Sequence, residues 1–251
     1  MTKIIMNGCN GKMGQVITRI VADTEGCEIV CGVDINTELK NEYPVYKSIS
    51  EFDGKADVII DFSHPSTLTS VLDYAKSTNT PAIICTTGLS AEQKAEIGAA
   101  SKDVAIFFSA NMSLGVNVLV DLVKKATKVL EENFDIEIVE KHHNQKIDAP
   151  SGTALTIADA IAETLTNEAE YTYDRHSVRK KRAKNEIGIH SLRGGSIVGE
   201  HSVIFAGQDE IIEIKHTATS KEVFAVGAVK AAKFLAGKPA GMYDMNDLIS
   251  Q

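Results

Sequence analysis

A chain of 251 residues, 43% hydrophobic and 24% charged, has ordinary globular composition and is long enough for one α/β domain or two modest ones; disorder is excluded. The net charge of −8 leaves no basic surplus for a phosphate backbone, and no apolar run approaches the roughly 20 residues of a membrane span. Neither nucleic acid nor a membrane is therefore an expected partner, and the start Met1–Asn7, which runs into a strand rather than a cleavage site, points to a cytoplasmic protein.

Lys3–Asn7 reads as a short apolar strand that enters Gly8-Cys9-Asn10-Gly11-Lys12-Met13-Gly14 directly. Glycines so spaced let the chain turn tightly, admit a pyrophosphate to the backbone and let the next helix pack on the sheet. The pattern is G-x-x-G-x-x-G, weaker alone than the usual dinucleotide fingerprint, but its context is strong. A helix from Met13 to Ala22 leads to a second strand, Glu28–Val33, which ends in Asp34, where a dinucleotide fold places the carboxylate that accepts the ribose hydroxyls. Strands then recur at Ala56–Phe62, Pro81–Cys85 and Val104–Phe108. They alternate with a helix opened by Pro65 and one opened by the capping box Ser90-Ala91-Glu92-Gln93. This rhythm predicts a Rossmann-type, doubly wound parallel sheet with Thr86-Thr87-Gly88 at a strand's carboxyl end, where ligands bind.

Beyond Ser109–Ser113 the pattern changes. A long helix (about Val116 to Glu131) precedes a strand with Ile136 and Ile138 alternating against Asp135 and Glu137. That strand runs into Glu140-Lys141-His142-His143-Asn144-Gln145-Lys146-Ile147-Asp148-Ala149-Pro150-Ser151-Gly152-Thr153-Ala154, where most of the chain's chemistry is concentrated. The two histidines sit at a strand end and face opposite sides, so they would do different jobs. Pro150 forces the next helix to begin near Ser151-Gly152-Thr153, and its unpaired amides, with Lys146 nearby, make an anion site beside a proton-transferring imidazole. Three alternating strands follow (Gly188–Arg193, Ile197–Phe205, Glu210–His216), with turns at Gly194-Gly195 and Gly207-Gln208-Asp209. They predict a second, α+β domain with an open mixed or antiparallel sheet read as a meander, its bare face covered by subunit association. The alanine-rich helix Val223–Leu235 is placed back on the first sheet. The expected domains are residues 1–112 with 221–251, binding dinucleotide, and 113–220, binding substrate and forming the oligomer.

Cys9, Cys27, Cys31 and Cys85 show neither C-x-x-C nor zinc spacing and read as small buried hydrophobes; no metal is expected. The basic run Arg175–Lys184 has three open readings: a solvated loop, a nucleic-acid or localisation patch, or a rim that draws an anionic substrate to a cleft.

The combination Gly8-x-x-Gly11-Lys12-Met13-Gly14, Asp61-Phe62-Ser63, Thr86-Thr87-Gly88, Ala110-Asn111-Met112-Ser113, His142-His143-x-x-Lys146-x-Asp148-Ala149-Pro150-Ser151-Gly152-Thr153-Ala154 and Val198-Gly199-Glu200-His201 resembles the dihydrodipicolinate reductase (4-hydroxy-tetrahydrodipicolinate reductase) family across almost the whole chain. The resemblance implies reduction of a cyclic, unsaturated imine dicarboxylate by a nicotinamide hydride, with loss of water, in lysine and diaminopimelate biosynthesis. It implies His142 as proton donor, Lys146 as a second donor, and His143, Ser151, Gly152 and Thr153 as substrate contacts. It also implies cofactor contacts at Gly8, Cys9, Asn10, Gly11, Lys12, Met13, Asp34, Cys85, Thr86, Thr87, Ser109, Ala110, Asn111 and Met112, and a homotetramer. Hydride delivery to a conjugated imine builds electron density that a proton must quench, a task suited to an imidazole; for Lys146, charge stabilisation and carboxylate orientation are the better role.

Five positions depart from the family's common form: Cys85 for glycine, Met112 for phenylalanine, and Lys12, Ile35 and Lys221 for arginine. Asp34 would repel a 2′-phosphate and Ile35 supplies no guanidinium for one, so NADH is expected to be favoured, with NADPH as the second nicotinamide and Lys12 a partial offset. Two rivals are a nicotinamide-sensing regulator without catalysis, against which the intact His142, His143 and Lys146 argue, and a Rossmann reductase of another small dicarboxylate.

Overall fold

The structure, a computed structural model, describes residues 1–250. It divides into two compact units, one of Met1–Leu114 with the C-terminal stretch from Glu222, the other Gly115–Lys221.

The first unit is built on β1 (Thr2–Asn7), β2 (Cys27–Val33), β3 (Val45–Tyr46), β4 (Val58–Asp61), β5 (Ala82–Ile84), β6 (Ala105–Phe108) and β12 (Gly241–Tyr243). All pair in parallel, in the order β12-β6-β5-β4-β1-β2-β3. Strands buried on both faces need apolar residues at every position, and alternate ones serve opposite layers. Ile4, Met6, Ile60, Ile83 and Phe107 pack against α1 (Lys12–Ala22) and α6 (Glu222–Leu235). Ile5, Ile59, Ile84 and Ile106 pack against α2 (Leu68–Thr78) and α3 (Ala91–Ala100). Small residues on α6, from Ala225 to Ala232, let it lie close to the sheet. Pro65 opens a 3₁₀ turn, Pro65–Thr67, and the α-helix proper begins at Leu68. The capping box at Ser90 is present, with Ser90 Oγ accepting from the Gln93 amide. Short β3 and β12 and the terminal helix α7 (Met245–Ile249) complete the described chain.

The second unit carries β7 (Asp135–His142), β8 (Glu170–Thr172), β9 (Glu186–Arg193), β10 (Gly199–Ala206) and β11 (Ile211–Ala218), with α4 (Leu114–Leu130) and α5 (Gly152–Ala162). Its order, β11-β10-β7-β9-β8, corrects the meander. β9 and β10 do not pair: β7 lies between them, parallel to β9 and antiparallel to β10. The turn expected to close their hairpin bonds to the end of β7 instead, Gly194 N donating to His142 O at 2.9 Å and Asn144 N to Gly195 O at 3.2 Å. Alternation in sequence fixes which face a side chain takes but not which strand lies alongside. Ile136, Ile138, Ile187, Ile189, Val203 and Phe205 face the helices and form one core with Leu119, Val123, Ile157 and Ile161. Val139, Leu192 and Ile204 lie at the intervening positions, so they take the opposite face.

Candidate active site

In the first unit the strand ends are shaped chiefly by backbone. Gly8 has φ +81°, and a Cβ there would lie 2.4 Å from Phe62 O. One at Gly14 would lie 2.1 Å from Gly8 O, so the turn and the start of α1 close only with glycine. Gly11 caps α1 without a side-chain hydrogen bond, and helix geometry leaves the first amides, Lys12 and Met13, pointing out of the turn. Asp34, just past β2, accepts from Asn10 N and Asn36 N, each at 2.9 Å, which aims its carboxylate. Ile35 is 89% exposed and Lys12 is also exposed.

The ends of β1, β4 and β5 are tied by fully buried Asp61, which accepts from Asn7 Nδ2 (2.7 Å), Thr86 Oγ1 (2.7 Å) and Ser63 Oγ. Burial pushes its pKa up, against those hydrogen bonds. Beside this cluster is a 280 Å³ cavity lined in part by Met13, Phe62, Ser63, Thr86, Ala110 and Met112. Ser109 Oγ bonds Asn111 O and Asn111 N, and so shapes the loop before Met112. A Cβ at Gly227 of α6 would lie 1.7 Å from Met112 O, so that glycine admits the loop. Cys85 is buried and burial raises its thiol pKa well above the ordinary value; it packs, with Cys9, Cys27 and Met112, in the apolar layer. Thr87 is exposed. A glycine turn, a helix start, a held acid and an adjoining cavity fit a dinucleotide with its nicotinamide.

The second unit's cluster is built from side chains. Register places Glu140 of β7 beside Ser191 of β9 and His201 of β10, and His201 beside His216 of β11, a polar row at the end of the apolar core. Two residues on, His142 takes the same face as Glu140. The buried Glu140 carboxylate accepts from His142 Nδ1 (2.6 Å), Arg193 Nη1 (2.8 Å), Arg193 Nη2 (2.6 Å) and Ser151 N (3.1 Å). Burial alone would raise its pKa; Arg193, Ser191 and His142 outweigh it and hold it at about 2, so it is an anion at neutral pH. Arg193 Nη2 also donates to Asp148 O at 2.7 Å, fastening the loop that carries Lys146. Lys146 Nζ lies 2.8 Å from Asp148 Oδ1. Ser151 caps α5, its Oγ accepting from Ala154 N (3.2 Å) and lying 3.1 Å from His201 Nε2. Burial, then the neighbouring His142, lowers the His201 pKa to about 4, so it is neutral. The rings of His142 and His201 meet edge to face at 5.2 Å. A Cβ at Gly199 would sit 3.2 Å from His142 Nε2.

His142 is therefore the last residue of β7 and half-buried His143 the first beyond it, in a turn closed by Lys146 N to His143 O (3.2 Å). Gly152 and Thr153 form the first turn of α5. The sequence reading gives no role to Glu140, Arg193 or His201, although the alternation Glu140-x-His142 is there to be read. The basic run is exposed except at Arg182 and Ala183, but three of its cations are paired: Arg175 with Glu137 and Glu186, Lys180 with Glu170 and Glu186, and Arg182 with Asp135 and Glu137. Among the described residues no group of three or more His, Cys, Asp or Glu is arranged to hold a metal ion, and no helix is long and apolar enough to cross a membrane.

A Rossmann-type unit joined in one chain to a mixed-sheet unit that holds a histidine, a lysine and a helix start defines a two-unit nicotinamide-dependent reductase. Family models for the N-terminus and C-terminus of dihydrodipicolinate reductase match residues 2–112 and 115–249. The chain belongs to the dihydrodipicolinate reductase family. It is 52% identical over 249 residues (99% of this chain, 98% of the other) to 4-hydroxy-tetrahydrodipicolinate reductase of Clostridium novyi (strain NT). It is 53% identical over 251 residues (100% and 99%) to that of Caldanaerobacter subterraneus subsp. tengcongensis. A dipicolinate-bound dihydrodipicolinate reductase from Paenisporosarcina sp. TG-14 shares the fold, with a TM-score of 0.84, 23% identity, and coverage of 98% of this chain and 99% of that one.

Proposed function

We propose that the chain reduces 4-hydroxy-tetrahydrodipicolinate to tetrahydrodipicolinate, with loss of water, in lysine and diaminopimelate biosynthesis, and that its two units divide the work. The first holds the dinucleotide: the glycine turn and the first amides of α1 take the pyrophosphate, Asp34 the ribose, and Thr86, Thr87 and Ser109 to Met112 the nicotinamide end. Bound reduced nicotinamide supplies the hydride. In the second, Lys146, Gly152 and Thr153 orient the substrate carboxylates, His143 contacts the substrate, and His142 gives the proton that quenches the electron density. The observation that carries this reading is the His142 ring with Nδ1 on an ionised carboxylate, in the same loop system as Lys146 and the start of α5.

Held by two amides, Asp34 presents charge where a 2′-phosphate would sit, which supports NADH as the favoured cofactor and NADPH as the weaker one. The sheet face bearing Val139, Leu192 and Ile204, with Ile211 70% exposed at the edge strand, supports association through the second unit into a tetramer. A cytoplasmic location fits four free, buried cysteines.

The test is purified protein with enzymatically generated substrate, followed at the reduced-nicotinamide absorbance. Substrate-dependent oxidation of NADH is expected, and Lys146→Met should lose about 1.5–3 kcal/mol, felt mainly in KM. No turnover with either nicotinamide would overturn the reading.

A further inference from the structure

His142 can serve as a proton donor from either ring nitrogen, and the two would deliver the proton to different places. We propose that Glu140, clamped by Arg193, is a positioning residue that holds the Nδ1 proton of His142 and leaves Nε2 as the atom that transfers a proton to the substrate. The inference rests on His142 being the donor, as proposed above.

Several observations converge on it. The Nδ1 to Oε2 distance is 2.6 Å, and the carboxylate is wholly buried, so no solvent competes for that proton. Both guanidinium Nη atoms of Arg193 grip the same carboxylate, which fixes its plane and keeps it ionised. An ionised carboxylate only accepts, so Nδ1 must carry hydrogen in both the neutral ring and the imidazolium. The other nitrogen lies on the side of Gly199, where an added Cβ would stand 3.2 Å from it. Neutral His201 packs edge to face on the ring at 5.2 Å, His216 lies beside His201 in register, and Lys146 and Asp148 pair with each other in the loop that follows.

In the step itself the substrate gains hydride, the displaced electron pair takes the proton from Nε2, and the imidazolium becomes the neutral Nδ1–H ring, still bonded to Glu140. The nicotinamide is the group oxidised. Arg193 also holds Asp148 O, so one side chain sets the carboxylate behind the imidazole and the loop that carries Lys146.

Glu140→Gln keeps the shape and removes the charge. It should lower kcat by about 10- to 100-fold with little change in KM, and move the alkaline limb of the pH–rate profile down by about one unit, because the protonated ring loses its anionic partner. In a His142→Gln background the same substitution should have no further effect. A Glu140→Gln enzyme with kcat within twofold and an unmoved limb, or a full-sized loss without His142, would overturn the proposal. If His142→Gln alone is fully active, it is the donor assignment that has failed, a distinguishable outcome. Ring nitrogen NMR of the native protein needs no variant: neutral His142 should show hydrogen on Nδ1 and a bare Nε2, and the opposite tautomer would refute the proposal even if Glu140→Gln does not fold.

Discussion

The two units solve the same problem, placing polar groups at the end of a sheet, with different materials. In the first, the groups presented at the strand ends are largely backbone amides, and the side chains that matter most are absent ones: Gly8 and Gly14, whose Cβ atoms would run into carbonyl oxygens. In the second, the groups are charged side chains drawn from separate strands and a loop, Glu140, His142, Lys146 and Arg193, which work only in register. A backbone site is lost through space, whereas a side-chain site is lost through charge. That contrast predicts which substitutions act on binding and which on protonation.

The largest effect should come from filling space in the first unit. Gly14→Val sets a branched side chain against immovable carbonyls of the glycine turn, and should cost about 3 kcal/mol of stability or more and abolish NADH binding. Denaturant unfolding and fluorescence titration would measure both; an intact Kd would mean that the turn is not the nucleotide site.

The second unit should instead respond to acid. The folded pKa of His201, about 4, lies below its unfolded value near 6.5, so the unfolded chain binds the extra proton between those values. Its contribution is fully present above pH 6.5 and is lost as pH falls to about 4, amounting to about 3 kcal/mol. Glu140, with a folded pKa of about 2, continues the loss from its unfolded value of 4.5 downward. Urea midpoints should therefore fall between pH 6.5 and 4.5, and less steeply in His201→Gln; equal slopes would remove His201 from the account.

Gly199→Ala tests the open side of His142. A methyl group 3.2 Å from Nε2 must displace the ring or the substrate, so kcat/KM should fall about tenfold, roughly 1.4 kcal/mol, with NADH affinity unchanged. Full activity in this variant would show that the proton leaves by another route.

The smallest effect is cofactor choice. Asp34 and the missing arginine at Ile35 should favour NADH in kcat/KM by a few-fold up to about tenfold, with exposed Lys12 offsetting part of the repulsion. A clear NADPH preference would give the 2′ position to Lys12 or another base, and Ile35→Arg should then change little.

How much of each site could be read from sequence follows from the same contrast. Gly8, Gly14 and Asp34 lie within one strand–helix–strand stretch, where spacing alone carries geometry, and the parallel sheet followed from its rhythm. The helix start at Ser151 was legible from Pro150 for the same local reason. Arg193 lies 53 positions beyond Glu140, and only the insertion of β7 between β9 and β10 brings them together. The glycine turn after Arg193 looked like a hairpin because local sequence does not say that its amide bonds His142 O. Short β3, β8 and β12 carried too few residues to show a period.

The division of labour itself is tested most directly by His142→Gln, assayed for turnover and for NADH binding on the same preparation. The account predicts a fall in kcat of about 10²–10⁴ with the NADH dissociation constant unchanged, because the imidazole belongs to the second unit's chemistry and not to the nucleotide site. A variant that keeps wild-type kcat, or one that loses NADH affinity in step with activity, would contradict it.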